Sequence, residues 1–327
     1  MDWGLIFGQS VVQGIGVQAV IFALAAIGLN VHFGYTGLLN FGQAGFLAIG
    51  AYGVAVTVVT FGQSLWLGVL VGVVGAVLFA LLLGIPTLRL RADYLAIVTI
   101  AAAEIIRLVA RSVTFRDTFG GADGINGFAQ QFYDLNPFAS DVDLGPFQMS
   151  RETLWVTVVG WGLVAVSLIV VFLAIRSPWG RVLKGIREDE DAVRALGKNV
   201  FSYKLQSLVL GGIIGSLGGI VFALSNQSVQ PDNYATAITF FAWAAMILGG
   251  AARVFGPVLG SVIFWFALVF INVGLTEAVR AGYVTFIDST QVGQVRFILL
   301  GLTLMLLMVY RPQGILGDKK ELAFDVK

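Results

Sequence analysis

From Trp3 to Leu88 the chain carries no Asp, Glu, Lys or Arg. So long a run without formal charge cannot cover a water-facing surface, where the charged side chains of a globular protein concentrate. A soluble globular fold is excluded, and the apolar content excludes a disordered chain. Composition agrees: 57% of the 327 residues are hydrophobic and 12% charged, about half the charged fraction of a soluble domain. The chain reads as an all-α polytopic membrane protein forming a single domain over 1–327.

Uncharged windows at 11–30, 65–85, 153–175, 205–225 and 256–274 each approach the ~20 apolar residues that a crossing helix needs. The window 296–310 is short but nearly pure Leu, Met, Ile and Val, and 94–110 is apolar except for Glu104 and Arg107. The stretch 34–61 is too long and Gly-rich for one simple helix, and 236–252 is barely long enough. The expectation is a bundle of about nine transmembrane helices, between eight and ten, with broken or short helices near a solute pathway. Residues 176–204 hold seven basic side chains, whereas 111–152 hold three against six acidic ones. Basic loops stay inside, so 176–204 and the tail 311–327, including the C-terminus, are expected in the cytoplasm. The loop 111–152 is expected outside, with Gly120-Gly121, Asn136-Pro137 and Gly145-Pro146 as turn signals. Met1-Asp2-Trp3-Gly4 lacks the basic start of a cleaved signal peptide, so the N-terminus is expected to be retained.

The chemical inventory is narrow. There is no cysteine and one histidine, His32, so thiolate chemistry is excluded and no catalytic residue, metal ligand or cofactor is assigned. A net charge of +1 leaves no footprint for nucleic acid. No Gly-x4-Gly-Lys-Ser/Thr phosphate loop occurs; Leu196-Gly197-Lys198-Asn199 fails at both ends. ATP-driven work by this protein would need the nucleotide site of another chain.

Three polar features remain. Residues 33–45 place Tyr35, Thr36, Asn40 and Gln43 among four glycines. One reading is a broken helix offering polar groups to a solute; the other is a surface turn followed by a packed helix. Glu104, deep in its span, is expected to pair with Arg107 one turn later; a proton or solute role is the alternative. Residues 185–197 read as one short helix, with Glu188, Asp189, Glu190 and Asp191 at its start, Arg194 later, an apolar strip of Ala192, Ala195 and Leu196, and Gly197 as its stop. Such a helix lies on the membrane surface or presents a knob to a soluble partner. Gly211, Gly215 and Gly219, and Gly256 with Gly260, have the spacing of close helix contacts.

These blocks together resemble a known family. Gly34-Tyr35-Thr36-Gly37 through Gly42-Gln43-Ala44-Gly45-Phe46 and Gly50-Ala51-Tyr52, then Tyr94 to Thr99 with Glu104-Ile105-Ile106-Arg107, then Gly120 to Gly124, follow in order. Ile186 to Gly197 with Tyr203-Lys204, Ile247 to Gly250, Phe255 to Gly260 and Arg311-Pro312-Gln313-Gly314 complete the series. The sequence is similar to the permease subunits of branched-chain amino acid ABC importers, in their LivM-like branch. One departure stands out: Asn40 and Gln43 occupy positions where relatives often carry Ser and His. The resemblance implies a non-catalytic half-transporter in a prokaryotic inner or plasma membrane, paired in the lipid bilayer with a second homologous permease. Two cytoplasmic ATPase subunits, which bind the ATP, would dock on Arg187, Glu188, Asp189, Asp191, Ala192, Leu196 and Gly197. An extracytoplasmic binding protein would deliver the solute past Tyr35, Thr36, Asn40 and Gln43. Urea or short amides are alternative cargoes. The alternative mechanism is a self-contained secondary carrier with Glu104 as its ion or proton site.

Overall fold

The computed structural model describes residues 3–90, 92–144, 147–283, 291–311 and 313–317. Arg91, the Gly145-Pro146 turn, Pro312 and the tail beyond Gly317 lie outside the described residues. The chain is helical: α1 (Trp3–Ile15), α2 (Val17–Leu29), α3 (Gln43–Ala55), α4 (Leu65–Thr87), α5 (Ala92–Arg111), the short α6 (Arg116–Phe119) and α7 (Gln130–Tyr133), then α8 (Arg151–Arg176), α9 (Pro178–Glu188), α10 (Glu190–Ala195), α11 (Val200–Asn226), α12 (Ala237–Gly249), α13 (Gly256–Arg280) and α14 (Val292–Tyr310). Among the described residues, six segments are long and apolar enough to cross a bilayer: Trp3–Gly34, Gln43–Thr60, Leu65–Thr87, Arg151–Arg176, Val200–Asn226 and Gly256–Arg280. The first differs from the expected window at 11–30. It starts at Trp3 and breaks at Gly16, which takes an extended conformation (φ −78°, ψ −168°). The Ile15 carbonyl freed by the break accepts the indole N–H of Trp161 on α8 at 2.7 Å.

Three of these spans form the centre. About 72% of the apolar window is buried in Trp3–Gly34, Gln43–Thr60 and Val200–Asn226, against 22% in Arg151–Arg176 and Gly256–Arg280. α2 is apolar and buried on every side, as a helix enclosed by other helices must be. α11 lies against α2, α3 and α4, and its glycines make that possible. A methyl at Gly219 would fall 1.9 Å from the Leu47 carbonyl oxygen, and one at Gly50 would fall 2.2 Å from that of Ser216. The glycine spacing thus places α3 and α11 in backbone contact. Gly260 does the same for α12 and α13: its methyl would meet the Ala245 carbonyl oxygen at 1.9 Å.

The two ends differ. At one, β1 (Ile125–Asn126) pairs antiparallel with β4 (Ser228–Val229), and β2 (Val142–Leu144) with β3 (Phe147–Met149). The Gln131 side chain accepts from the Leu65 amide at 2.8 Å, and Tyr133 donates to the Leu224 carbonyl at 2.9 Å. The described residues of 111–152 therefore form a fitted cap over the helix ends. At the other end stand α9 and α10. Here the single helix expected over 185–197 is corrected to two. Asp189 is extended (φ −153°, ψ 102°), and its carboxylate accepts from the amides of Asp191 and Ala192, both at 3.0 Å. A side chain that captures two backbone donors favours a cap over helix continuation, so α9 stops and α10 begins at that residue. Gly197 ends α10 in the left-handed conformation (φ +76°), as the sequence implied.

Candidate functional site

α2 does not run directly into α3. Its last turn widens into a π-helical turn, Asn30–Gly34, and residues 37–42 are non-helical. Such a widening releases backbone groups that must be satisfied inside the protein. Side chains from three other helices, α5, α11 and α12, help to do so. Thr99 of α5 accepts from the Phe41 amide at 3.0 Å, and Thr239 of α12 from the Ala44 amide at 2.9 Å. The Trp243 indole donates to the Asn40 carbonyl at 3.0 Å. On α11, Ser207 donates to the Val31 carbonyl at 3.0 Å and bonds Thr36 at 2.7 Å. Asn30 donates to the Arg253 carbonyl at 2.9 Å and accepts from the Ala252 amide at 2.8 Å, holding the α12–α13 turn.

Within this cage the polar side chains form one ordered chain. Asn40 Oδ1 accepts from the Gly42 amide at 2.8 Å, which fixes its amide orientation. Its Nδ2 then donates to His32 Nδ1 at 3.0 Å and to Gln43 Oε1 at 3.2 Å. His32 Nδ1 is therefore an acceptor and Nε2 carries the proton, which it donates to the Leu208 carbonyl at 3.1 Å. Gln43 Nε2 donates in turn to the Ala25 carbonyl at 3.3 Å. Every member is buried, and each is held by hydrogen bonds to its neighbours, as low-dielectric surroundings require. The structure thus brings Asn40 and Gln43 together, with Thr36 bonded nearby. Tyr35, Thr36, Asn40 and Gln43 are all buried, but Thr36 bonds Ser207 and the Val31 carbonyl, and Tyr35 lies apart, on the wall of a cavity it shares with Arg176. Sequence reasoning missed His32, Ser207, Thr99 and Thr239. Only His32 carried a local signal, as a lone imidazole at the start of the broken stretch.

The same segment meets α9. Arg187 Nη1 donates to the Gly34 carbonyl at 2.6 Å. Gly37, at φ +75°, lets the Arg187 stem pass; a methyl there would lie 3.3 Å from Arg187 Cγ. Arg187 is thus the inward-facing member of its group, whereas Glu188, Asp189, Asp191, Ala192, Leu196 and Gly197 are exposed. Leu196 is 79% exposed, so the apolar strip of α10 faces outward as a knob. Val193 is the side chain that packs the knob onto α9 and α11, and Glu190 ties it to α11 through Lys204 while pairing with Arg194 within α10.

Glu104 and Arg107 stand apart from this network. Arg107 Nε lies 3.1 and 3.0 Å from the two Glu104 carboxylate oxygens, and its Nη1 reaches Asp232 at 2.7 Å. Arg111 joins Asp232 at 3.1 Å. The expected i, i+3 pair is present, extended into a four-residue ionic cluster at the capped end. It lies on the rim, with the Glu104 side chain 36% exposed.

This arrangement defines a multi-pass helical membrane protein whose centre is a broken, hydrogen-bonded helix tied to a protruding helical knob. The chain belongs to the family of branched-chain amino acid transport system permease components, whose model matches residues 11–310. It is 31% identical over 314 residues to the high-affinity branched-chain amino acid transport system permease protein LivM of Salmonella typhimurium, covering 92% of this chain and 69% of that one. It is 29% identical over 325 residues to the LivM protein of Escherichia coli, covering 96% and 72%. A nucleoside ABC transporter permease protein of Lactococcus lactis is 27% identical over 239 residues, covering 70% and 71%.

Proposed function

We propose that this chain is the membrane-spanning subunit of an ATP-binding-cassette importer for branched-chain amino acids, and that it spans a prokaryotic cell membrane about nine times. α5, α12 and α14 would add three crossings to the six long apolar spans, Glu104 and Arg107 of α5 neutralising each other as a pair. The end bearing α9 and α10 lies in the cytoplasm, together with the C-terminus. A second homologous permease completes the pathway, two ATPase subunits dock on the exposed faces of α9 and α10, and a binding protein delivers solute at the capped end. The chain itself is non-catalytic. Branched-chain amino acids lead as cargo on the similarity to LivM proteins; nucleosides, urea and short amides are the competing cargoes.

The observation that carries this reading is the Arg187–Gly34 bond. It joins the element that an ATPase would push to the broken segment between α2 and α3. Movement of α9 is thereby transmitted to the residues 35–43, of which Tyr35, Thr36, Asn40 and Gln43 form the polar backing of the pathway, with rigid-body rocking alternating the access.

The test is purification of the tagged protein from mild detergent, followed by reconstitution with the subunits that stay bound. Recovery of a similar permease and ATPase subunits is expected, with uptake dependent on ATP. Arg187→Ala is expected to leave assembly intact and to lower solute moved per ATP hydrolysed by about tenfold, the loss of ~1.5–3 kcal/mol for a charge-assisted bond. Recovery of the chain alone, with ATP-independent uptake abolished by Glu104→Gln, would favour the secondary carrier.

A further inference from the structure

The side chains that hold the broken segment are not the ones it shows. From Leu38 to Gly42 burial alternates: Leu38, Asn40 and Gly42 are buried, whereas Leu39 and Phe41 are half-open. Asn40 and Gln43 commit their amides to His32, to each other and to backbone, and both are wholly buried. A passing solute cannot touch them. The open side of the segment belongs to Leu39 and Phe41.

What that side faces follows from its depth. The segment begins beside Ser207, which bonds Thr36, and ends beside Gly215, against which Gln43 packs. Both positions lie inside the apolar span Val200–Asn226. Non-helical backbone at such depth is stable against protein or a water-filled passage, not against lipid. Among the described residues, neither the amide nor the carbonyl of Leu39 has a hydrogen-bond partner, so this backbone calls for water or a polar solute. Beside it stands an aromatic wall. The Phe41 ring stacks on Trp243 with centroids 4.8 Å apart and lies 5.7 Å from Phe240. Trp243 is buried and fixed by its bond to the Asn40 carbonyl, whereas Phe240 is 51% exposed. Open backbone beside exposed aromatic rings suits a small solute with polar ends and a hydrocarbon side chain. We propose that Phe41 and Phe240, backed by Trp243, contact the side chain of the transported amino acid and set a preference for larger aliphatic side chains over small ones. This deepens the importer reading above and rests on it. Apolar contact discriminates by the number of methylene groups it covers, so the preference scales with side-chain size.

The experiment uses the full assembly in proteoliposomes and has two arms. In the first, the unsubstituted assembly is irradiated with photo-leucine, a diazirine analogue of leucine, and the adducts are mapped by mass spectrometry. Adducts within 37–44 or 236–244 are expected, suppressed by excess leucine. In the second, uptake of leucine and of alanine is compared as kcat/KM. Phe240→Ala should lower the leucine-to-alanine ratio by about tenfold, the low end of what one methylene is worth in an apolar site. Phe240→Leu should keep most of the ratio, and Leu82→Ala, at a 72% exposed position on α4, should leave it unchanged. The melting temperature and basal ATP hydrolysis of the Phe240→Ala assembly should match those of the parent. An unchanged ratio, or an equal loss for both amino acids, would overturn the contact. So would adducts found only elsewhere in the chain, or none, which would leave the second permease as the occupant of this face. If the parent assembly took up no leucine, the cargo reading itself would fall and the contact with it; leucine uptake with an unaltered ratio sinks the contact alone.

Discussion

Asn40 uses one small amide to serve three partners. It donates to His32 and Gln43 and accepts from the Gly42 amide, so removing it strands two acceptors and one backbone donor in a buried site. Each unsatisfied buried group costs ~1–3 kcal/mol, and no water reservoir adjoins a side chain that is wholly buried. Asn40→Ala is therefore expected to lower stability by about 3 kcal/mol or more, read as a fall in the thermal unfolding midpoint of the detergent-solubilised protein. Asn40→Asp should not rescue it, because a carboxylate cannot donate to Gln43 Oε1 and would be a buried charge. A midpoint matching the parent protein would show that the network is not what holds the broken segment. The polar character of Asn40 and Gln43 inside an apolar run was legible from the sequence, and so was the spacing of Glu104 and Arg107. The groups that hold the broken segment were not: Thr99 and Thr239 meet the Phe41 and Ala44 amides from 58 and 195 positions away in the chain, and no local pattern encodes such a meeting.

At the level of elements, glycine position separates helices that touch from helices that do not. Gly219 on α11 faces the Leu47 carbonyl at a distance no side chain can share, whereas a methyl at Gly162 on α8 would meet nothing within 4 Å. Gly219→Ala should force α3 and α11 apart and lower the unfolding midpoint, at a cost of about 1–3 kcal/mol for overpacking. Gly162→Ala should do the reverse, adding roughly 0.5–1 kcal/mol by stiffening a helix interior. Equal effects from the two would mean that α3 and α11 do not meet at Gly219. The sequence identified the stripe on α11 as a contact face because small residues at four-residue spacing permit backbone approach. It misjudged the helix at 185–197, where acidic residues crowd a start that is really two elements. Asp189 suits a helix first turn and a helix cap equally well, and only the backbone geometry distinguishes the roles. It also ran the first span as one continuous helix, since the extended conformation of Gly16 is a choice among several that glycine allows.

For the whole molecule the governing question is which end faces the cytoplasm, because the ATPase docking surface follows from it. Arg89, Arg176, Lys184, Lys198, Lys204 and Arg253 all line cavities at the end bearing α9 and α10, while the opposite end carries the mixed-charge cap over 111–152. This segregation of basic residues was legible in the loops alone, and it exists because lysine and arginine resist transfer across the membrane during insertion. The chain offers a direct test, since it contains no cysteine. Leu196→Cys places a thiol at the tip of the knob, and Asp123→Cys places one in the cap, where the native side chain is 76% exposed. A membrane-impermeant maleimide applied to intact spheroplasts should label Cys at 123 at once. It should label Cys at 196 only after permeabilisation, while inside-out vesicles should give the opposite pattern. Asp123 forms an exposed ion pair with Arg116, so its loss should cost no more than about 1 kcal/mol, and replacement of an exposed Leu196 disturbs no packing. Labelling at 196 in intact spheroplasts would place the knob outside, where no ATPase could reach it.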